Sequence, residues 1–254
     1  MNIVLLGSGN VATHLAKALK ANGENVLQVY SRNLVNAKWL ADQLSAEAVD
    51  DLSHINQSAE LYIISVKDDA IEPVAASLAH VNGLVVHTSG TTDIQVLASH
   101  VKQAGVFYPL QTFSKLKDVS FLNIPLCIEA TDQATLLILK QLAAKLSEKV
   151  YELDGEKRKV LHLAAVFACN FPNHLYAMAN EILQENGLDF DIIRPLIAET
   201  ADKVMNNLPE NVQTGPAIRN DETTMSKHLG MLESKPEMKH IYQTLSNSIK
   251  LMLK

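Results

Sequence analysis

The sequence predicts an α/β domain on a doubly wound parallel sheet, residues 1–152, followed by an all-α domain, residues 153–254. Three observations predict it. Over roughly the first 110 residues, short runs rich in Val, Ile and Leu alternate with helical periodicity, as in a sheet covered by helices on both faces. A glycine turn, Gly7-Ser8-Gly9-Asn10-Val11-Ala12, joins the first run to the first helix. Beyond Val150 there are four glycines in 104 residues, no convincing strand, and apolar residues three and four apart.

In chain order, Asn2 to Leu6 reads as a strand, Val11 to Lys20 as a helix with Leu15, Ala18 and Leu19 inward, and Asn25 to Tyr30 as a second strand. Leu61 to Ser65, Leu84 to His87, Val106 to Tyr108 and Ile124 to Glu129 read as further buried strands. In the second part Leu161 to Leu183 and Asp191 to Asn207 are predicted helices. Pro236 to Leu253 sets Met238, Ile241, Tyr242, Leu245, Ile249 and Met252 on one stripe. The domain boundary is expected near Tyr151 to Glu156.

The chain of 254 residues is long enough for a sizeable core, and 47% hydrophobic with 20% charged residues is a globular composition. The net charge of −6 is spread evenly, 11 basic against 14 acidic residues in both 1–150 and 151–254. No basic stripe exists to drive nucleic-acid binding. The two cysteines, Cys127 and Cys169, sit in apolar runs, predicting buried thiols in a reducing compartment and no metal site. No apolar stretch reaches the roughly 18 to 20 residues of a membrane span, and the chain opens on a strand rather than a basic leader. A cytoplasmic protein without nucleic-acid or membrane partners is expected.

The turn is GxGxxA, between a buried strand and a helix. Gly7 permits the tight turn, Gly9 lets the amides of Ser8, Asn10 and Val11 approach a pyrophosphate, and Ala12 lets the helix pack close. A dinucleotide-binding Rossmann domain follows. A site selecting NAD would place a carboxylate at the end of the second strand; here Ser31 and Arg32 follow Tyr30 and suit a 2′-phosphate, so NADP is predicted. The alternative makes Arg32 a solvated loop residue.

Ligands gather at the carboxyl ends of such strands. Val66 and Lys67 end one and are expected beside the cofactor. His87 and Ser89, with Gly90, end the next and could meet nicotinamide or substrate, or could simply cap a turn. Gln111 and Thr112 follow Tyr108-Pro109 and could donate to an oxygen-rich substrate, or form a structural turn. On the helix from about Glu156, Lys159, His162, Val166, Asn170 and Asn173 are spaced to share a face. Hydride transfer to C=O or C=N requires a proton donor, for which His162 is the first candidate and Lys159 the second. A satisfied core histidine is the other reading of His162. Asn170 and Asn173 flank Pro172 and could bond substrate or freed carbonyls. Arg219, after Thr214-Gly215-Pro216, is the candidate for a substrate carboxylate or phosphate, or else pairs with Asp221 or Glu222.

Together these motifs resemble the pyrroline-5-carboxylate reductase and β-hydroxyacid dehydrogenase superfamily. Gly7-Ser-Gly-Asn-Val-Ala, His87-Thr-Ser-Gly, Pro109-Leu-Gln-Thr-Phe, Asn170 with Asn173-His174, and Thr214-Gly-Pro with Arg219, Asp221 and His228-Leu229 are similar to its branch joining a Rossmann-like domain to a domain of unknown function. The resemblance spans nearly the whole chain. It implies an NADP-dependent oxidoreductase acting on a small imine or a keto or hydroxy acid bound between the domains, and a homodimer through the C-terminal helices. Departures are specific: Lys159 is followed by His162 rather than Asn, Pro109 is preceded by Tyr108 rather than His, and Thr214-Gly-Pro replaces a Pro-Gly-Gly-Thr-Thr loop. A non-catalytic NADP-binding module, sensing redox state or holding a partner, is the second functional expectation.

Overall fold

The computed structural model describes residues 1–252, and the chain divides into two compact units, Met1–Asn170 and Phe171 onward. In the first, the described strands form one sheet: β1 (Asn2–Leu6), β2 (Asn25–Tyr30), β3 (Glu47–Val49), β4 (Leu61–Ile64), β5 (Leu84–His87), β6 (Ala104–Pro109), β7 (Leu126–Ala130) and β8 (Val150–Glu152). Their order is β3-β2-β1-β4-β5-β6-β7-β8. The chain reverses its direction of winding between β1 and β4, the switch point at which a Rossmann sheet opens its ligand crevice.

The central strands are apolar throughout because both faces are covered. Ile3 and Leu5 pack with Leu15 and Leu19 of α1 (Asn10–Ala21), together with Leu40 of α2 (Leu34–Leu44). Val4 and Leu6 point the other way and pack with Ile71 and Val74 of α3 (Ile71–Ser77) and Leu97 of α4 (Gln95–Ala98). Pairing is parallel as expected, except that β7 runs antiparallel to β6. The reason is the β6–β7 connection, which contains no helix and so cannot make the crossover that a parallel return requires. Helix α5 (Gln133–Leu146) then carries β7 to a parallel β8. β3 and β8 escape sequence reading because each has three residues, too few for a pattern.

The first unit extends past the expected boundary at 152/153. Helix α6 (Gly155–Ala165), capped by the Asp154 carboxylate on the Lys157 amide, buries Arg158 against β7 and the segment after β5. It belongs to the sheet unit for that reason. The expected continuous helix from Leu161 to Leu183 is interrupted by a π-helical turn, Val166–Asn170. Pro172, which brings no N–H to the ladder, follows closely. Cys127 is buried as predicted, whereas Cys169 is exposed because its apolar run lies on this turn, where no residue is buried.

The second unit is helical: α7 (Phe171–Glu185), α8 (Arg194–Asn206), α9 (Glu222–Met231) and α10 (Pro236–Leu251). Leu253, the expected end of the last helix, lies outside the described residues. Among the described residues of this unit, Ala217 and Met225 alone are buried. Leu196, Met205, Leu208 and Met231 are more than half exposed. No described helix is long and apolar enough to cross a membrane.

Candidate active site

A cavity of about 1070 Å³ opens at the carboxyl ends of β1, β2, β4, β5 and β6. Its floor at the switch point is the glycine turn. Gly7 has φ +132, and a Cβ there would lie 2.0 Å from the Ser65 carbonyl oxygen, so Gly7 is required by the fold. Gly9 has φ −75 and nothing within 4 Å of a Cβ; the space it leaves is the cavity itself. Helix α1 begins there with no side-chain cap and no acidic residue in its first turn, so its amides remain available to an anion.

Ser8, Asn10 and Val11 join the two glycines in the lining, as do Ser31 and Arg32 beyond β2 and Val66 and Lys67 beyond β4. The cations Arg32, Lys67 and Lys115 face a single lining carboxylate, Asp68, which accepts the Thr91 hydroxyl. This electrostatic balance and the open space over Gly9 fit a dinucleotide with a pyrophosphate and an additional phosphate. Tyr30, Asn33, Asn36 and Lys115 were not identified from sequence; Asn33 caps α2, which turns Asn36 one turn on toward the cavity.

At the other end, His162 of α6 reaches the lining, and its Nδ1 lies 2.9 Å from the Tyr108 hydroxyl at the end of β6. Burial pushes the Tyr108 phenol up to about 12, with Cys127 adding to the effect, so it keeps its proton. With the phenol at Nδ1, Nε2 is the ring nitrogen left to the cavity. Gly90 makes the pair possible, since a Cβ there would be 2.6 Å from His162 Nδ1 and 2.9 Å from Tyr108 Cζ.

Arg158, one turn before His162 and fully buried, holds α6 in place. Its guanidinium bonds the Glu129 carboxylate of β7 and the Thr92 carbonyl, while Nε has no partner among the described residues. Burial holds the Glu129 carboxyl above the ordinary carboxylate range, and the neighbouring Arg158 offsets only part of that rise.

Other expected site residues are placed differently. His87 is buried beneath the floor, not at the cavity: its Nδ1 accepts the Ser89 amide at 3.2 Å, and desolvation, reinforced by Arg158, lowers it to about 4. Ser89 lines the cavity, with its oxygen accepting the Thr91 and Thr92 amides at 3.1 and 3.0 Å, the capping role. Lys159 is bound to Glu156 at 2.8 Å, which raises its pKa, and lies outside the lining. Asn170 is exposed, because the π turn adds a residue and breaks the spacing that would keep it on the face of His162. Gln111 lines the cavity, while Thr112 is turned back, its amide donating to Gln111 Oε1 at 2.7 Å.

In the second unit, Asn173 lines a cavity of about 670 Å³ with Tyr176, Asn180, Phe190 and Arg194. Arg219 stands exposed near Asp221, whose carboxyl is lowered chiefly by the Thr224 amide and hydroxyl, with Arg219 contributing.

Residues 2–90 match the family described as NADP oxidoreductase coenzyme F420-dependent, and residues 124–249 match the domain of unknown function DUF2520. A "putative NADP oxidoreductase" from Bacteroides fragilis is 48% identical, with 98% of this chain and 97% of that chain covered and a TM-score of 0.95. A protein from Thermotoga maritima is 25% identical over 98% of each chain, with a TM-score of 0.82. The 1-pyrroline-5-carboxylate reductase of Streptococcus pyogenes, 14% identical over 98% of each chain with a TM-score of 0.65, shares the fold. No curated protein matches the chain.

Proposed function

We propose that the chain, which belongs to the family joining an NADP oxidoreductase domain to DUF2520, moves a hydride between NADP(H) and a small imine or a keto or hydroxy acid. The observation that carries this reading is one cavity with the Gly9 turn at one end and the His162–Tyr108 pair at the other. The cofactor, when bound, supplies or accepts the hydride. The glycine turn and the α1 amides hold the pyrophosphate, and Ser31 and Arg32 face the ribose 2′-substituent.

The substrate end has a proton source matched to that hydride. In reduction the acceptor carbon gains a hydride and its nitrogen or oxygen gains a proton; oxidation reverses both. His162 Nε2 holds the proton at the cavity, and Tyr108 fixes the ring through Nδ1. Gln111 orients the polar end of the substrate. Orientation against the cofactor supplies most of the acceleration.

The protein acts as a homodimer through its C-terminal helices. Supporting this is the helical unit itself, whose described residues leave Leu196, Met205, Leu208 and Met231 more than half exposed. A panel of keto acids and cyclic imines with saturating NADPH tests the enzymatic reading. Turnover with at least one, lost in His162→Gln, is expected. Cofactor binding without turnover across the panel would indicate a sensor or interaction module instead.

A further inference from the structure

The β6–β7 connection reaches the cavity from across helix α1. Two bonds pin it there: the Asn10 side-chain amide donates to the Phe113 carbonyl at 3.0 Å, and His14 Nε2 donates to the Ser114 carbonyl at 2.9 Å. Phe113 stacks on His14 and on Phe121, with ring centroids 5.2 and 5.7 Å apart. The strap is therefore fixed by the same helix whose first turn faces the glycine loop. The next residue, Lys115, extends over Trp39 of α2, its Nζ 4.2 Å from the ring centroid, and lines the cavity.

Asn36 lies one turn before Trp39 on the same face of α2 and lines the cavity as well, with Arg32 and Asn33 just before it. Lys115 and Arg32 thus bring two cations to the β2 side of the cavity from segments far apart in sequence. Among the described residues neither is paired with a carboxylate. The β2 side is where a Rossmann domain reads the ribose 2′-position. A phosphate there brings a charge of about −1.5 to −2, whereas a hydroxyl brings none. An ammonium on an exposed indole face is held weakly, far more weakly than by a phosphate oxygen.

We propose that Lys115 is a second determinant of NADP(H) over NAD(H), leaving the Trp39 face to neutralise the 2′-phosphate opposite Arg32. This rests on the dinucleotide reading of the cavity given above. It assigns the strap a role in cofactor choice that the β2–α2 turn alone does not fill.

Calorimetric titration of the full chain and of Lys115→Met with NADP+ and NAD+ tests it. The substitution is at an exposed position, so the fold is retained. The expected result is a roughly tenfold rise in the Kd for NADP+ and an unchanged Kd for NAD+. Trp39 is the only tryptophan, and its emission gives a second readout: saturating NADP+ changes it in the unmutated protein, with a smaller change in Lys115→Met. Equal weakening of both dinucleotides would overturn the proposal, since Lys115 would then serve a part they share. Unchanged NADP+ affinity in Lys115→Met would overturn it while leaving the dinucleotide site intact, and failure of the unmutated chain to bind either would remove both.

Discussion

Arg158 and His162 stand one turn apart on α6, the first sealed against Glu129 and the Thr92 carbonyl, the second lining the cavity beside Tyr108. The buried cation positions the helix that presents the imidazole. Arg158→Met leaves the Glu129 carboxylate without its partner and is expected to cost about 3 kcal/mol, in the range for breaking a buried pair. A lower denaturation midpoint at unchanged m-value would register this. Arg158→Lys should not restore stability, because one ammonium cannot serve Glu129 and Thr92 in the guanidinium geometry.

His87 makes stability depend on pH. Its ring is buried and neutral, with a folded pKa of about 4 against an ordinary 6.5. Between these values the unfolded chain binds a proton that the folded chain does not, so stability is retained above pH 6.5 and declines as pH falls toward 4. The full effect is about 3 kcal/mol. Chemical denaturation at pH 7 and pH 4.5 should show a smaller loss in His87→Gln than in the unmutated protein. Equal losses would mean that His87 is protonated in the fold.

The two glycines of the turn should separate folding from binding. Gly9→Val places its side chain in open cavity and is expected to leave circular dichroism and the melting temperature near native while abolishing NADPH binding. Gly7→Ala drives a Cβ into the Ser65 carbonyl from a positive φ and should destabilise the protein outright. Normal NADPH binding by Gly9→Val would remove the phosphate from this turn.

Assembly is tested by mass. Light scattering at micromolar concentration should give about twice the 27.9 kDa of the chain, and truncation after Glu233 should give monomeric or insoluble protein. A well-folded full-length monomer would contradict the dimer.

The sheet was legible where strands are long and buried on both faces: β1, β2, β4 and β5 follow from their apolar runs, and GxGxxA gave the floor of the cavity. What sequence could not supply depends on partners remote along the chain. Arg158 looks like a surface residue of a charged helix start until Glu129 and Thr92 close around it. Tyr108 is an apolar-run tyrosine until His162 meets it across 54 residues of chain. The strap that brings Lys115 to Trp39 has no periodicity at all. A place at a strand end predicts His87 at the cavity, but a residue still inside the strand, paired with Ile64 and Val106, points into the core instead.

Whether this cavity is an NADP(H) site is decided by the pair of dissociation constants for NADPH and NADH measured calorimetrically on the full chain. Arg32, in place of a ribose-binding carboxylate, predicts NADPH tighter by at least about tenfold, roughly 1.4 kcal/mol, with the preference shrinking or reversing in Arg32→Asp. Equal constants for the two, or no binding of either, would rule out an NADP(H)-selective site here.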